Sequence, residues 1–457
     1  MRLTHRQSVL FSNLADKPLS VEFTQPATSS DGGLVLLAGI DRRLRLTERM
    51  AAAIRDRRQQ VKVEHPLLDL LRERVYAIAC GYPDGDDAAH LRGDPVLKLA
   101  CERRAIEGEP LASQPTLSRF ENAPTPWDLL RMAYALTDTV IEDQRRRRRG
   151  RRVDRITIDM DPTDDPTYGD QQLTFFNGHY DTWCYLPMVT AIQFEEEAEQ
   201  WLVAPVLRPG DAVGTDGAIA VLRRLVPRLR AAFPKARLLV RLDGAFATPE
   251  VFAWLETERL DYLVNMRRNS VLEGLAEPWM KEVRALWKKS GQTEHVFADI
   301  EYTSGKWDRA RRVIVKAEVT VQEGRSVRDN PRFVVTNLRS GPKACYLRYA
   351  ARGDAENRLK ELHHGLRFDL TSCTDFYANQ FRNLLTAAAY VLYQQLRSYA
   401  RGTDCERAQV ETLRDRLVKI GVTVIESVRR IVFKGPLWFP WFTTWRRIAW
   451  ACAAAGG

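Results

Sequence analysis

The chain has 457 residues, room for about two to four domains, and its 45% hydrophobic and 28% charged content is that of a globular protein. Its 69 Lys and Arg against 59 Asp and Glu give a net charge of +10 and a pI near 9.3, which suits nucleic acid or an anionic membrane surface. No signal-peptide run follows Met1, and the apolar Leu437–Phe442 is broken by Pro440; seven scattered cysteines without a C-x-x-C pair argue against a disulfide framework or structural zinc and predict reduced thiols in the cytoplasm.

In chain order, Val21-Glu22-Phe23-Thr24 alternates like a short strand, and Asp31-Gly32-Gly33 is a turn before the apolar run Leu34–Leu37. From there to about residue 142 the pattern is helical, with His65-Pro66 opening a helix from Leu67. Asp86 or Asp87 is placed to cap a helix starting at Ala88. Ser113 and Pro115 open a short helix whose Gln114, Thr116, Ser118 and Arg119 are polar, and this suits either an ordinary capped helix or the reading helix of a helix-turn-helix. Arg145, Arg146, Arg147, Arg148 and Arg149, followed by Arg151 and Arg152, predict a solvated linker at a domain boundary that binds phosphates.

The period then changes from 3.6 to 2. Strands are predicted at 156–161, 185–192 and 201–207, a helix at 218–232, a strand at 237–243, a helix at 248–257 and a strand at 262–266, which is an α/β order. Residues 311–319 and 331–337 read as strands of a β-rich segment. A single helix is then predicted through Tyr349, Arg352, Glu356, Lys360 and His363, whose steps of three and four place them on one stripe. An exposed helix laced with ion pairs has the same pattern. A long apolar helix follows from Phe376 to Leu396.

Three carboxylates stand out. Asp161 ends the first core strand, Asp243 ends the fourth, and Glu356 sits on the stripe. Acids at strand carboxyl ends point into the crevice where open α/β sheets bind ligands. Three converging carboxylates repel one another unless a divalent cation lies between them, and all-oxygen ligation favours Mg²⁺ or Mn²⁺. Two such ions suit phosphodiester displacement. Asp159 shares a strand face with Asp161 and is an alternative first acid. His363-His364 beside Gly365 suits a cap contact or a metal. Trp183, Trp438, Trp441, Trp445 and Trp450 suit core packing or base stacking.

Asp161-Pro162-Thr163, the "VRLDGAF" run at 240–246, and Tyr349, Arg352 and Glu356 in a Y-x-x-R-x-x-x-E arrangement together resemble the three catalytic blocks of the DDE transposases of bacterial insertion sequences. The stretches "DGGLVLLAGIDRRL", "SQPTLSRFEN" and "ENRLKEL" are similar to that group as well. The resemblance implies an RNase H-like mixed-sheet core, with a helical DNA-binding region over 1–150, core segments over 151–270 and 346–400, a β-rich insertion over 271–345, and a helical dimerisation region over 401–457. It implies that Asp161, Asp243 and Glu356 bind two metal ions with Asp159 in support, and that Tyr349 and Arg352 contact phosphate. The family's lysine seven residues after the glutamate is His363 here, which leaves Lys360 as the substitute. Arg119 and the Arg145–Arg149 run are the further DNA-binding candidates. Cleavage at terminal inverted repeats, strand transfer into target DNA and a homodimeric synaptic complex are the implied activity and partners. A catalytically inactive DNA-binding protein and a nuclease without strand transfer are the alternatives.

Overall fold

The computed structural model describes residues 25, 27–195, 197–322, 324 and 326–453; the side chains of 354–356, Glu356 included, lie outside that description. The strand expected at Val21–Thr24 also lies outside the described residues. The described residues divide into two compact units, one drawn from 1–43, 58–119 and 395–457, the other from 44–57 and 120–394.

The second unit carries the candidate acids. Its strands are β1 (Arg155–Pro162), β2 (Met188–Phe194), β3 (Gln200–Leu202), β4 (Arg237–Leu242), β5 (Asp261–Met266), β6 (Glu294–Tyr302), β7 (Arg311–Thr320), β8 (Arg328–Asp329) and β9 (Arg332–Thr336). They form one sheet in the order β6-β7-β9-β5-β4-β1-β2-β3, with β8 paired to β7. Among the described residues only the β1–β4 and β4–β5 pairs are parallel. The β4 core reads as a near-continuous apolar run, Leu238, Leu239, Val240 and Leu242, because both of its faces are covered. The charged residue within that run, Arg241, is buried and paired.

The helices are α1 (Pro126–Arg147), α2 (Ala218–Ala232), α3 (Pro249–Thr257), α4 (Ser270–Ser290), α5 (Pro342–Ala350), α6 (Gly353–Leu366) and α7 (Phe376–Tyr399). In α2, Leu222, Leu225 and Leu229 recur at helical spacing and are buried. Helix α3 starts where the sequence predicts: Thr248 Oγ1 accepts the Val251 N–H at 3.4 Å, with Pro249 in the first turn. A small antiparallel sheet of Asp165–Pro166, Phe175–Asn177 and Thr182–Tyr185 is inserted between β1 and β2.

Four expectations change. The segment 271–345 begins within the 21-residue helix α4, and its strands continue the core sheet through the β9–β5 pair. Arg145–Arg147 form the last turn of α1, not a linker; Arg is a good helix former, and Asp143 ion-pairs Arg146 and Arg147 at i,i+3 and i,i+4. The region 401–457 holds a β-hairpin, Val422–Glu426 with Ile431–Lys434, as well as the helix Phe442–Ala453. The helix at Ala88 is four residues long, and Asp87 makes no side-chain cap there.

In the first unit, helices Leu34–Leu44 and Leu67–Ala79 accompany that hairpin, whose Val422 and Thr423 pair with Ser29 and Thr28. The turn before Leu34 needs glycine for room: a Cβ on Gly33 would lie 1.8 Å from the Leu417 carbonyl oxygen.

Candidate active site

The site begins with the register of two neighbouring parallel strands. Asp159 on β1 is opposite Arg241 on β4. Two residues further along the chain from each of these come Asp161 and Asp243, at the carboxyl ends of those strands. The strand alternation that places Asp161 at the mouth places Asp159 inside. Asp159 and Arg241 are 3% and 2% exposed. Arg241 donates Nε to Asp159 Oδ1 and Nη2 to Oδ2, each at 2.7 Å, a two-pronged pairing that suits the planar guanidinium. Nη2 also donates to Gln193 Oε1 at 3.0 Å, and Nη1 to the Arg348 carbonyl at 2.9 Å. Gln200 Nε2 adds a donor to Asp159 Oδ2 at 3.4 Å. Asp159, the alternative first acid, therefore already has a cationic partner within the sheet.

Asp161 is half-buried and accepts from Arg352 Nη1 at 2.8 Å. Asp243 begins the turn Gly244–Phe246, its Oδ1 accepting the Ala245 N–H at 2.8 Å. Arg352 and Tyr349 do not share one helix: the ladder breaks at Ala351–Arg352, so Tyr349 sits in the last turn of α5 and Arg352 at the cap of α6. Gly353, a poor helix former, follows the break. Burial acts to lower the Arg352 pKa, but the Asp161 carboxylate and the Tyr349 phenol outweigh it, leaving the guanidinium above its ordinary value.

Two phenols report where the negative charge gathers. Tyr349 packs beside the Leu239, Leu263, Ile314 and Tyr346 cluster. Burial raises its pKa, with Asp243 and Asp161 adding to the rise and Arg352 opposing it. Tyr180, between the second and third strands of the small inserted sheet, is pushed up to about 12 by burial and then by Asp164, Asp161 and Asp243. Both phenols thus feel Asp161 and Asp243 together. The sequence carries no signal for Tyr180, since its place depends on how the inserted sheet folds back.

Arg208 is a second residue the sequence does not flag. It is 5% exposed. Its Nε donates to the Leu186 carbonyl at 2.8 Å, and its Nη1 to the carbonyls of Val213, Gly214 and Asp216, each at 3.0 Å. The loop so held lies against the Asp243 turn: a Cβ on Gly214 would be 2.7 Å from the Ala245 Cβ.

His363, at the place of the expected lysine, is hydrogen-bonded through Nε2 to Thr163 Oγ1 at 3.2 Å. Burial lowers its pKa, against the pull of Asp369 and Asp164. Lys360 is exposed on α6. Arg119 is exposed on the helix Gln114–Glu121, in the first unit. Trp183 is exposed on the inserted sheet, and Trp438 and Trp450 are exposed in the first unit. The Glu356 backbone lies in the first turn of α6, and its carboxylate is outside the described residues. Among the described residues no group of three His, Cys, Asp or Glu side chains is gathered to hold a metal ion. The donors that are described, Asp161 and Asp243, are hard oxygen ligands at the ends of adjacent strands, a donor chemistry that suits a divalent cation.

The fold is a mixed α/β sheet with Asp161 and Asp243 at the carboxyl ends of neighbouring parallel strands and Arg352 on Asp161, the end at which open α/β sheets bind ligands. Within that fold class the particular relationship is given by a family model described as "Transposase DDE domain group 1", which matches residues 11–452; the chain belongs to this family of transposition-related nucleases. A comparison with the curated proteins found no match. No helix among the described residues is long and apolar enough to cross a membrane.

Proposed function

We propose that the protein is a cytoplasmic DNA transposase with an RNase H-like core, which cleaves phosphodiesters at the ends of its element and transfers the freed 3′ ends into target DNA as a homodimer. The observation that supports the reading is the β1–β4 register, Asp159 opposite Arg241, with Asp161 and Asp243 each two residues further on and Arg352 2.8 Å from Asp161. Asp161, Asp243 and Glu356 are the residues that hold divalent metal, Mg²⁺ or Mn²⁺. Bound there, the metal supplies Lewis acidity at the phosphoryl oxygens.

The chain's own side chains do the rest. Arg352 has a planar, always-charged fork suited to the non-bridging oxygens of the scissile phosphate. Its contact with Asp161 holds it at the crevice before DNA arrives. Tyr349 keeps its phenol proton, in line with its raised pKa, and donates a hydrogen bond to phosphate. Asp159 and Arg241 lock the two acid-bearing strands in register, so Asp161 is the first acid and Asp159 supports it. His363 steadies the Asp161-Pro162-Thr163 turn through Thr163 and does not stand in for a lysine. Lys360 and Arg119 are exposed cations for the DNA backbone.

The test is cleavage of a labelled duplex carrying the sequences that flank the gene, in Mg²⁺ or EDTA, by wild type and Glu356→Ala. Cleavage that requires both the metal and Glu356 supports the proposal. Binding without cleavage, or cleavage that survives in Glu356→Ala, overturns it.

A further inference from the structure

A wide groove in the second unit lies away from the acids. It has a volume of about 730 Å³ and runs between the end of α1 and the turn that leads into β4, lined by Arg145, Arg146, Arg148, Arg149, Arg151 and Arg152 on one side and Phe233–Ala236 with Lys235 on the other. Its one lining carboxylate, Glu142, is held by Arg49 at 2.7 Å. Arg146 pairs with Asp143, Arg148 with Glu197 and Arg152 with Asp154. Arg145, Arg149, Arg151 and Lys235 have no ion pair among the described residues, and the three arginines are exposed.

So much positive charge costs energy unless something offsets it. The carbonyl end of α1 offsets part of it, since a helix C-terminus favours cations. The remaining four charges point outward around a concave surface. Arg148 is fixed in place, stacked 4.2 Å over the Phe194 ring, and Arg147 lies 5.1 Å over Trp201, so the floor of the groove is anchored to the sheet.

Position separates this groove from the catalytic crevice. It borders the residues that enter β1 and β4, whereas Asp161 and Asp243 stand at the other ends of those strands. Six strand steps from Arg155 to Asp161 span about 20 Å, so a phosphate in the groove is not the scissile one. We propose that the groove is a second, non-catalytic DNA site that grips the backbone of duplex DNA irrespective of sequence, with Arg145, Arg149, Arg151 and Lys235 each neutralising a phosphate. The proposal rests on the reading of the protein as DNA-acting, but not on its cutting DNA.

Counterion release makes the claim quantitative. Four phosphates contribute about 3.6 to the slope of log affinity against log salt, or about 100-fold in affinity between 50 and 200 mM salt. The experiment is fluorescence anisotropy of a labelled duplex of arbitrary sequence in EDTA across that range. It compares wild type with the fourfold variant Arg145→Gln, Arg149→Gln, Arg151→Gln and Lys235→Gln. The expected result is a slope shallower by about 3.6 at an unchanged melting temperature, and recovery of the slope when the three arginines are replaced by lysine instead. A fourfold variant with the wild-type slope overturns the proposal. So does a variant that loses binding only to vesicles containing phosphatidylserine, because the partner is then a membrane. Should the protein fail to cleave DNA while the slope difference holds, the transposase reading falls and the groove remains; cleavage without a slope difference gives the reverse.

Discussion

Substitution of Asp159 separates its role from that of Asp161. Asp159→Asn removes the charge opposite Arg241, a guanidinium 2% exposed that makes three hydrogen bonds within the sheet and one to the Arg348 carbonyl of α5. Leaving one member of a buried pair uncompensated costs about 3–5 kcal/mol. For a body of this size that lowers the melting temperature by on the order of 10 °C. The double variant Asp159→Leu with Arg241→Met removes both charges, and it is expected to recover most of the loss, because well-packed apolar replacements of buried pairs are neutral to stabilising. Asp161→Asn, by contrast, lies at a half-buried mouth beside a second carboxylate. Its melting temperature is expected to stay within a few degrees of wild type while DNA cleavage falls at least about a hundredfold. The assay pairs thermal unfolding by circular dichroism with cleavage of an end-labelled duplex at equal protein. If Asp159→Asn melts like wild type yet abolishes cleavage, the internal ion pair does not exist in solution and the assignment of the first acid is reversed.

Three further outcomes are expected. Arg352→Lys keeps the charge but loses the planar fork, and cleavage should fall by about two orders of magnitude with little change in melting; an activity equal to wild type would remove Arg352 from phosphate contact. Asp165 is fully buried, with Oδ2 accepting from Thr371 at 2.8 Å, and burial lifts its pKa to about 8. Its folded pKa thus exceeds the unfolded value, so its stabilising contribution is complete below about pH 4 and lost as pH rises through about 8; urea midpoints should show Asp165→Asn gaining on wild type between about pH 4 and 8, by up to about 5 kcal/mol in all, and parallel pH curves would refute this. Gly214→Ala drives a methyl into Ala245 beside Asp243, and cleavage should fall several-fold in kcat more than in KM, with a melting loss of about 1–3 kcal/mol; unchanged kinetics would detach that loop from the site.

Much of the core is legible because its signals are local. The apolar runs of β1 and β4, each ending in an acid, and the capped helix at Thr248 follow from residue type and spacing alone. The Asp159–Arg241 pair is not legible that way, since two residues 82 positions apart meet only when parallel register is known. The break between α5 and α6 hides for a similar reason: the steps of three and four from Tyr349 to His363 continue across it, and only the Gly353 that follows hints at an interruption. The arginine run reads as linker from charge alone, yet Asp143 one turn back holds it helical. Tyr180 and Arg208 reach the site through the inserted sheet and a long loop, where contacts are set by tertiary folding and not by periodicity.

The most direct test of the site is a change of ligand. Asp161→Cys and Asp243→Cys replace a hard oxygen by a softer sulfur, which tolerates Mn²⁺ better than Mg²⁺. If these two carboxylates hold the metal, each variant is inactive on an end-labelled duplex in Mg²⁺ and recovers measurable cleavage in Mn²⁺, while Asp159→Cys shows no such recovery. Equal cleavage in the two metals by either variant, or recovery at Asp159 instead, would contradict the account.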